Sequence, residues 1–85
     1  MSIQYTGKVF LAPNTSDGEI VEKALQALIG NGVKQEHIQI NYNTQDLEKG
    51  DLYVSYEPPD LVVRNVYDKK TNGIVKMRSS CTIKL

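Results

Sequence analysis

Two residue types suited to nucleophilic chemistry occur once each in this chain. His37 and Cys81 are the single histidine and the single cysteine among 85 residues. A cysteine nucleophile needs a neighbouring base, a group that orients the base, and donors for the developing oxyanion. No nucleophile motif surrounds Cys81 between Ser79 and Thr82, and a lone cysteine on an alternating strand is usually a small core residue. We therefore expect Cys81 to be structural, and we name no catalytic residue.

Metal binding and paired-carboxylate catalysis both need clusters of ligands or acids. One histidine and one cysteine do not make a usual zinc set, and no carboxylates stand at the spacing of a calcium loop. The acids that could pair all lie in turn regions, where acids mostly make local hydrogen bonds. They are Asp46, Glu48, Asp51, Glu57 and Asp60. The sequence therefore predicts no metal, no cofactor and no enzyme, and a site shared between subunits is the residual enzymatic hypothesis.

A turn before the predicted helix is the first candidate for ligand binding. Asn14, Thr15 and Ser16 join a strand to a helix start, and backbone amides at a helix N-terminus attract anions. However, Asp17 and Glu19 already place negative charge there, and Ser16 followed by Glu19 fits a capping box. Capping by Ser16 is the favoured interpretation, and an anion site at Asn14, Thr15 and Ser16 is the alternative.

The C-terminal part of the chain is the second candidate, because it is basic. From residue 69 onward there are five basic residues and no acid: Lys69, Lys70, Lys76, Arg78 and Lys84. If residues 74–85 form one strand, the last three share its even-numbered face. Arg64 and Tyr67 on the neighbouring strand would add a charge and a stacking ring, a combination typical of grooves for single-stranded nucleic acid. Edge strands are also commonly loaded with lysine to prevent aggregation.

Composition limits the remaining function classes. Ten basic and ten acidic side chains give a net charge of zero, and 40% of the residues are hydrophobic, which is ordinary for a globular protein. The apolar runs are far shorter than the roughly 20 residues of a membrane-spanning helix. No charged start followed by an apolar run marks a signal peptide, and the single cysteine fits a reducing compartment. We expect a cytoplasmic protein without a membrane partner.

The elements that position these residues follow from hydrophobic periodicity. Residues 3–11 alternate as a strand and end before Pro13. Residues 17–30 have helical spacing and end at a Gly-Asn-Gly sequence that tolerates positive φ. Further strands are predicted at residues 38–42, 52–56, 61–67 and from 74 onward, the last with a bend near Ser79 and Ser80. Residues 43–50 are predicted to form a turn and 68–73 a hairpin loop.

This order of elements predicts the fold class. We expect residues 1–85 to form a single α+β domain, in which a single helix packs on a four- to five-stranded, largely antiparallel sheet of order β-α-β-β-β-β. The helix between the first two strands allows them to lie parallel.

The later strands carry apolar side chains on both faces, and one helix covers roughly two or three strands' width on one face. Tyr53, Val62 and Val66 would then need another cover, supplied by a homo-oligomer or partner surface or, alternatively, by sheet curvature and loops. We therefore expect a small non-enzymatic binding module that acts through a sheet or oligomer surface. An inhibitor, adaptor or ligand-sequestering protein, such as a phage or bacterial accessory factor, fits this description. Anion or nucleic-acid binding through residues 69–84 is the alternative hypothesis.

Overall fold

One α-helix packs on a five-stranded mixed sheet. A computed structural model describes residues 3–40, 46–71 and 74–85. The elements are β1 Val9–Ala12, α1 Gly18–Gly30, a 3₁₀ helix Gln35–His37, β2 Ile38–Gln39, β3 Leu52–Glu57, β4 Asp60–Thr71 and β5 Ile74–Lys84. The strand order is β2-β1-β3-β4-β5. β1 pairs parallel with β2 and β3, whereas β3–β4 and β4–β5 are antiparallel. The predicted α+β class and the mostly antiparallel sheet are confirmed, as is the parallel pairing of the first two strands.

The main core lies between α1 and the sheet. Its strand members are alternate residues that share one sheet face, and α1 and the residues after it supply the rest: Val9, Leu11, Leu52, Val54, Leu61 and Val63 from the strands, with Ala24, Leu28 and Val33. We call this set the helix-side cluster. Ile3 and Tyr5 pack against it although they precede β1, so the predicted face of the N-terminal segment is right. Burial of these alternating side chains fixes the register of β1, β3 and β4, because a shift by one residue would turn each set toward the opposite face.

A second, smaller cluster covers part of the other sheet face. Phe10, Leu47 and Val66 are buried together, and Tyr53 and Met77 pack against them. Leu47 comes from the segment before β3, where the sequence predicts only a turn at residues 43–50. Residues 43–45 of that turn, and residues 41–42 of the predicted second strand, lie outside the described part of the chain. Phe10 breaks the apolar alternation of β1 because its side chain is buried in this second cluster, on the sheet face opposite α1. We call this set the loop-side cluster.

The first predicted strand is too long at its N-terminal end. β1 begins at Val9 rather than at residue 3. The amides of Thr6 and Gly7 both donate to the carbonyl of Gly50, at 3.2 and 3.0 Å, which bends the backbone out of line with the strand. A Cβ atom at Gly7 would overlap the carboxylate of Asp51. Alternation correctly predicts the face but not this close backbone approach, which depends on residues 43 positions away.

The helix begins one residue later than the capping box predicts. Asp17, and not Ser16, is the N-cap, and its side chain accepts from the amide of Glu19 at 3.0 Å. The amide of Asp17 in turn donates to Thr15 Oγ1 at 3.1 Å. Asp and Ser are about equally good N-caps, so the sequence does not decide which of the two residues caps the helix. At the other end Asn31 is the C-cap and Gly32 has a φ of 93°, as the Gly-Asn-Gly sequence predicts.

The last two strands extend beyond the rest of the sheet. β3 pairs with β4 only as far as Asn65, whereas β4 and β5 stay paired to Thr71 and Ile74. The predicted hairpin loop at 68–73 is therefore too long by four residues, and residues 72–73 lie outside the described part. The amide of Val66 still donates to the carbonyl of Asp51, and its carbonyl accepts from the amide of Gly50, both at 3.0 Å. Residues 65–71 and 74–78 thus form a two-stranded arm that extends past the β3 segment from Tyr67 onward, and we call this arm the ribbon.

Candidate functional site

An arginine stacked on an exposed tyrosine marks the ribbon. The guanidinium carbon of Arg78 lies 4.4 Å from the centroid of the Tyr67 ring, within the distance of a cation–π contact. Two residues of β4 span one step of β5 between the pairs Val66–Met77 and Asp68–Lys76, so Tyr67 is the extra residue of a β-bulge. A bulge re-aims a side chain. Here the ring remains 41% exposed.

The two described cations of the ribbon, Lys76 and Arg78, differ in whether an acid lies opposite them. Lys76 and Arg78 are both exposed and stand two residues apart on β5, so their side chains share one face. Lys76 pairs in register with Asp68, whereas Arg78 pairs with the uncharged Asn65. Of these two cations, Arg78 is therefore the one without an acid opposite it. Lys69 and Lys70 belong to β4, but their side chains lie outside the described part of the structure.

A second bulge removes Lys84 from this set. Val63 pairs with Cys81 and Arg64 pairs with Ser79, so Ser80 is an extra residue in β5. The extra residue inverts the alternation: Arg78 lies on the face that Ile83 occupies, where Ile83 packs on the helix-side cluster. Lys84 follows Ile83 and turns to the opposite face, beside Asp60. The prediction that Lys76, Arg78 and Lys84 share a face is wrong for Lys84.

Arg64 is also separated from the ribbon cations. Its Nη1 donates to Ser55 Oγ at 2.9 Å, its Nη2 donates to Glu57 Oε2 at 3.0 Å, and Ser55 Oγ donates to Glu57 Oε2 at 2.7 Å. The hydrogen bond from Ser55, followed by that from Arg64, lowers the pKa of Glu57 below its ordinary value of 4.5. Desolvation opposes this shift with a smaller effect, and the charge of Arg64 adds the smallest lowering. The charge of Arg64 is thus paired on the sheet face opposite α1.

That sheet face also contains the three predicted interface residues. Tyr53 and Val62 are half-buried, whereas Val66 is only 2% exposed because Leu47 packs on it. Loop packing therefore covers part of the apolar surface that the sequence leaves open. The Ser55–Glu57–Arg64 cluster occupies the neighbouring part of the same face.

The Asn14–Thr15–Ser16 turn lies at the other end of the sheet, near the β3–β4 turn. Asn14 adopts a φ of 54°, and its side-chain amide donates to the carbonyl of Tyr56 at 3.2 Å. Thr15 and the first-turn amide of Glu19 are engaged in the capping contacts given above. An anion bound here would have to displace the Asp17 carboxylate, and the turn is not adjacent to the ribbon.

Cys81 and His37 stand at opposite edges of the sheet. His37 precedes β2, Cys81 belongs to β5, and β1, β3 and β4 lie between. Four inter-strand steps separate the two edges by about 19 Å. His37 Nδ1 is instead hydrogen-bonded to the Tyr5 hydroxyl at 2.7 Å. The expectation of a core position for Cys81 is wrong, because the side chain is exposed on the edge strand.

The turn acids fall into two groups: Asp46, Glu48 and Asp51 line one pocket beside Gly7 and Lys8, and Glu57 pairs in register with Asp60. Asp51 is buried, and its two carboxylate oxygens accept from the amides of Lys8 and Glu48, at 2.8 and 2.9 Å. Glu57 is paired with Arg64 as described. Within residues 3–40, 46–71 and 74–85, no three His, Cys, Asp or Glu residues are grouped so that they could hold a metal ion. Asp51 is therefore a structural acceptor that ties the segments before β1 and β3 together.

The residue pattern along the chain does not predict how β4 and β5 pair around Arg78. The pairing of Arg78 with Asn65 and the bulges at Tyr67 and Ser80 are properties of strand register. The run of cations without acids was the available signal, and it identified Lys76 and Arg78 but could not separate Lys84 from them. In addition, none of the helices in the described ranges is long and apolar enough to cross a membrane.

Comparison of the chain with protein-family models, with curated proteins and with solved structures yields no match.

Proposed function

We propose that this chain is a non-enzymatic binding module that docks an anionic partner on the ribbon. The observation that carries the proposal is the stack of Arg78 on Tyr67, a cation held in place on an exposed ring with no acid opposite it in the sheet. Arginine held in a fixed plane binds carboxylates and phosphates with two parallel hydrogen bonds. A side chain that is already ordered also loses less conformational entropy on binding.

The local distribution of charge supports this surface over any other part of the chain. The net charge is zero, so the whole molecule exerts no steering attraction on an anion. Between Ile74 and Leu85 there are three cations and no acid. Two of them, Lys76 and Arg78, share one face of the ribbon, so recognition would depend on this pair and would be sensitive to salt.

The test is a titration of dye-labelled heparin, a polyanion without base or peptide chemistry, followed by fluorescence anisotropy. Wild-type protein is expected to bind at low salt and to lose affinity steeply as ionic strength rises. Arg78→Gln and Lys76→Gln are expected to weaken binding. Lys23→Gln is the matched control, because Lys23 is an exposed cation on α1. Equal weakening by all three variants would contradict a site on the ribbon.

A homo-oligomer through the sheet face opposite α1 is the second arrangement. The half-burial of Tyr53 and Val62 on that face supports it, since a subunit interface would complete their burial. Light scattering on a sizing column at tens of micromolar protein tests it. A monomer at that concentration would rule out a stable oligomer, and a dimer that Tyr53→Ser dissociates would support the arrangement.

The cellular setting belongs to the proposal as well. One cysteine, exposed and without a disulfide partner in its own chain, suits a reducing compartment such as the cytoplasm. There the protein would act as an inhibitor, adaptor or sequestering accessory factor.

A further inference from the structure

We propose that the outer edge of β5 accepts an extended acidic polypeptide segment, which adds to the sheet as a sixth strand. The inference rests on the proposed function and names the partner class for the same surface. Strand addition takes its affinity from main-chain hydrogen bonds and its specificity from the side chains on alternate positions.

The two edges of the sheet differ in what they offer to such a segment. β2 at one edge has 2 residues, whereas β5 at the other edge has 11. In an antiparallel strand, alternate residues direct their amide and carbonyl groups toward the neighbour on one side or the other. β4 pairs with the inner side of β5, and in the described part of the chain no strand pairs with its outer side. Most side chains from Lys76 to Leu85 are exposed.

Charge complementarity selects an acidic occupant. Arg78 and Lys76 lie on one face of β5, two residues apart. An added strand with acids at alternate positions would place its carboxylates beside both cations, and opposite charges on neighbouring strands stabilise the pairing. The bulge at Ser80 interrupts the strand, and bulges disrupt pairing locally. The part of the edge with the matching charges is therefore the stretch from Ile74 to Ser79.

The same observations disfavour two other occupants. A second copy paired through its own β5 would bring cations beside cations, because that strand contains no acid, and neighbouring like charges destabilise a sheet. Single-stranded nucleic acid is held by successive aromatic platforms. On the described part of the ribbon Tyr67 is the exposed ring, and Arg78 already covers one of its faces.

The experiment uses a fluorescein-labelled peptide in which glutamate alternates with valine, titrated with the full chain and followed by anisotropy. Two further forms of the peptide carry N-methyl groups on one or the other alternate set of amides. We expect the parent peptide to bind, one N-methylated form to lose at least about tenfold in affinity, and the other form to bind like the parent. This difference between the two N-methylated forms arises only if the peptide donates backbone hydrogen bonds to the protein from one of its two edges.

Charge variants of the protein complete the design. Arg78→Glu is expected to weaken the parent peptide about tenfold, consistent with reversal of one cross-strand charge pair. Lys76→Glu provides a second, independent variant at an exposed site, and Lys23→Glu on α1 is expected to leave affinity unchanged. Circular dichroism on each variant confirms that the fold is intact before the titrations are compared.

The outcomes separate this inference from the proposed function. If both N-methylated peptides bind like the parent while Arg78→Glu weakens heparin and peptide alike, strand addition is wrong and the anion site on the ribbon stands. Tighter binding of labelled oligothymidine than of the acidic peptide would also overturn the inference, in favour of nucleic acid. If heparin and peptide are both indifferent to Arg78→Glu, the proposed function fails together with the inference.

Discussion

β4 and β5 take part in two regions with different roles: the ribbon, and the body of the sheet, by which we mean the part where β4 also pairs with β3. In the body, Leu61 and Val63 of β4 are buried against α1 and the neighbouring strands. A few residues later the same strand leaves the sheet, and its side chain at Tyr67 is exposed beside Arg78. The body is held by apolar burial, whereas the ribbon displays charge and an aromatic ring. Stability and recognition are therefore expected to respond to different substitutions.

This contrast shows that one long strand can contribute to the core at one end and to an exposed surface at the other. β4 spans 12 residues, but its pairing with β3 ends at Asn65. Val66 still bonds to Gly50 and Asp51 and is buried in the loop-side cluster, and from Tyr67 onward β5 is the strand that pairs with β4 in the described part of the chain. Substitutions of buried residues in the body should mainly change the free energy of unfolding, and substitutions of exposed ribbon side chains such as Arg78 should mainly change binding. Four experiments test this separation, from the largest expected change in stability to the smallest.

Truncating the center of the helix-side cluster should have the largest effect. Leu28→Ala removes a fully buried side chain of α1 and should lower the free energy of unfolding by about 2–5 kcal/mol, because it leaves a cavity. Urea denaturation followed by circular dichroism measures the change. Lys23→Ala on the exposed side of the same helix is the control, expected within about 0.5 kcal/mol of wild type. A Leu28→Ala loss no larger than the control would show that the helix contributes little to the core.

The second experiment tests the close approach at Gly7. A Cβ atom there meets the Asp51 carboxylate, which the amides of Lys8 and Glu48 hold in place. Gly7→Ala should therefore destabilise the protein by about 1–3 kcal/mol, the usual cost of inserting a group into a filled site. Gly18→Ala is the matched control, because nothing lies within 4 Å of a Cβ atom at that position. If the two variants unfold at the same urea concentration, Asp51 moves aside without cost.

The third experiment uses the lowered pKa of Glu57. Because the pKa is lower in the folded than in the unfolded protein, the carboxylate stabilises the fold above the unfolded value, near 4.5, and this contribution disappears as pH falls through the folded pKa. Stability should thus exceed that of Glu57→Gln at neutral pH, and the difference should close on acidification below about pH 4.5. Ser55→Ala removes the largest cause of the shift and should raise the pKa of Glu57 in an NMR titration. A difference that stays constant with pH would contradict this assignment.

The smallest change in stability is expected at the ribbon. Arg78→Gln removes a cation–π contact at an exposed site, worth about 0.5–1 kcal/mol at most. The unfolding midpoint should therefore stay close to that of wild type while heparin binding weakens. A loss of stability comparable with that of Leu28→Ala would mean that the stack holds the sheet together rather than presenting a charge.

Much of the body of the sheet and its helix could be predicted, because the pattern that indicates each element lies within that element's own residues. Alternation at Leu52, Val54 and Tyr56 correctly indicates the face of β3 that packs on the helix-side cluster. Helical spacing and the Gly-Asn-Gly sequence give the extent of α1 to within one residue. Where prediction is wrong, as at the start of β1, the cause is a contact with a distant segment: the amides of Thr6 and Gly7 meet Gly50.

The candidate site divides in the same way. The cations at Lys76 and Arg78 and the ring of Tyr67 are evident from composition and spacing. Their grouping is not, because one bulge places Tyr67 outside the ladder and another turns Lys84 to the opposite face. Each bulge depends on how two strands pair, and a period of two in one strand contains no information on an extra residue in the other.

The sequence by itself determined the α+β class, the helix, the faces of β1, β3 and β4 and the basic character of the C-terminal segment, since each follows from periodicity or composition along a short stretch of chain. Tertiary structure decided that Leu47 covers Phe10 and Val66, that Asp51 holds two segments together, and that Arg78 rather than Lys84 lies beside Tyr67. These outcomes depend on register and on contacts between residues far apart in sequence. Such contacts form only when burial of the core has brought the segments together.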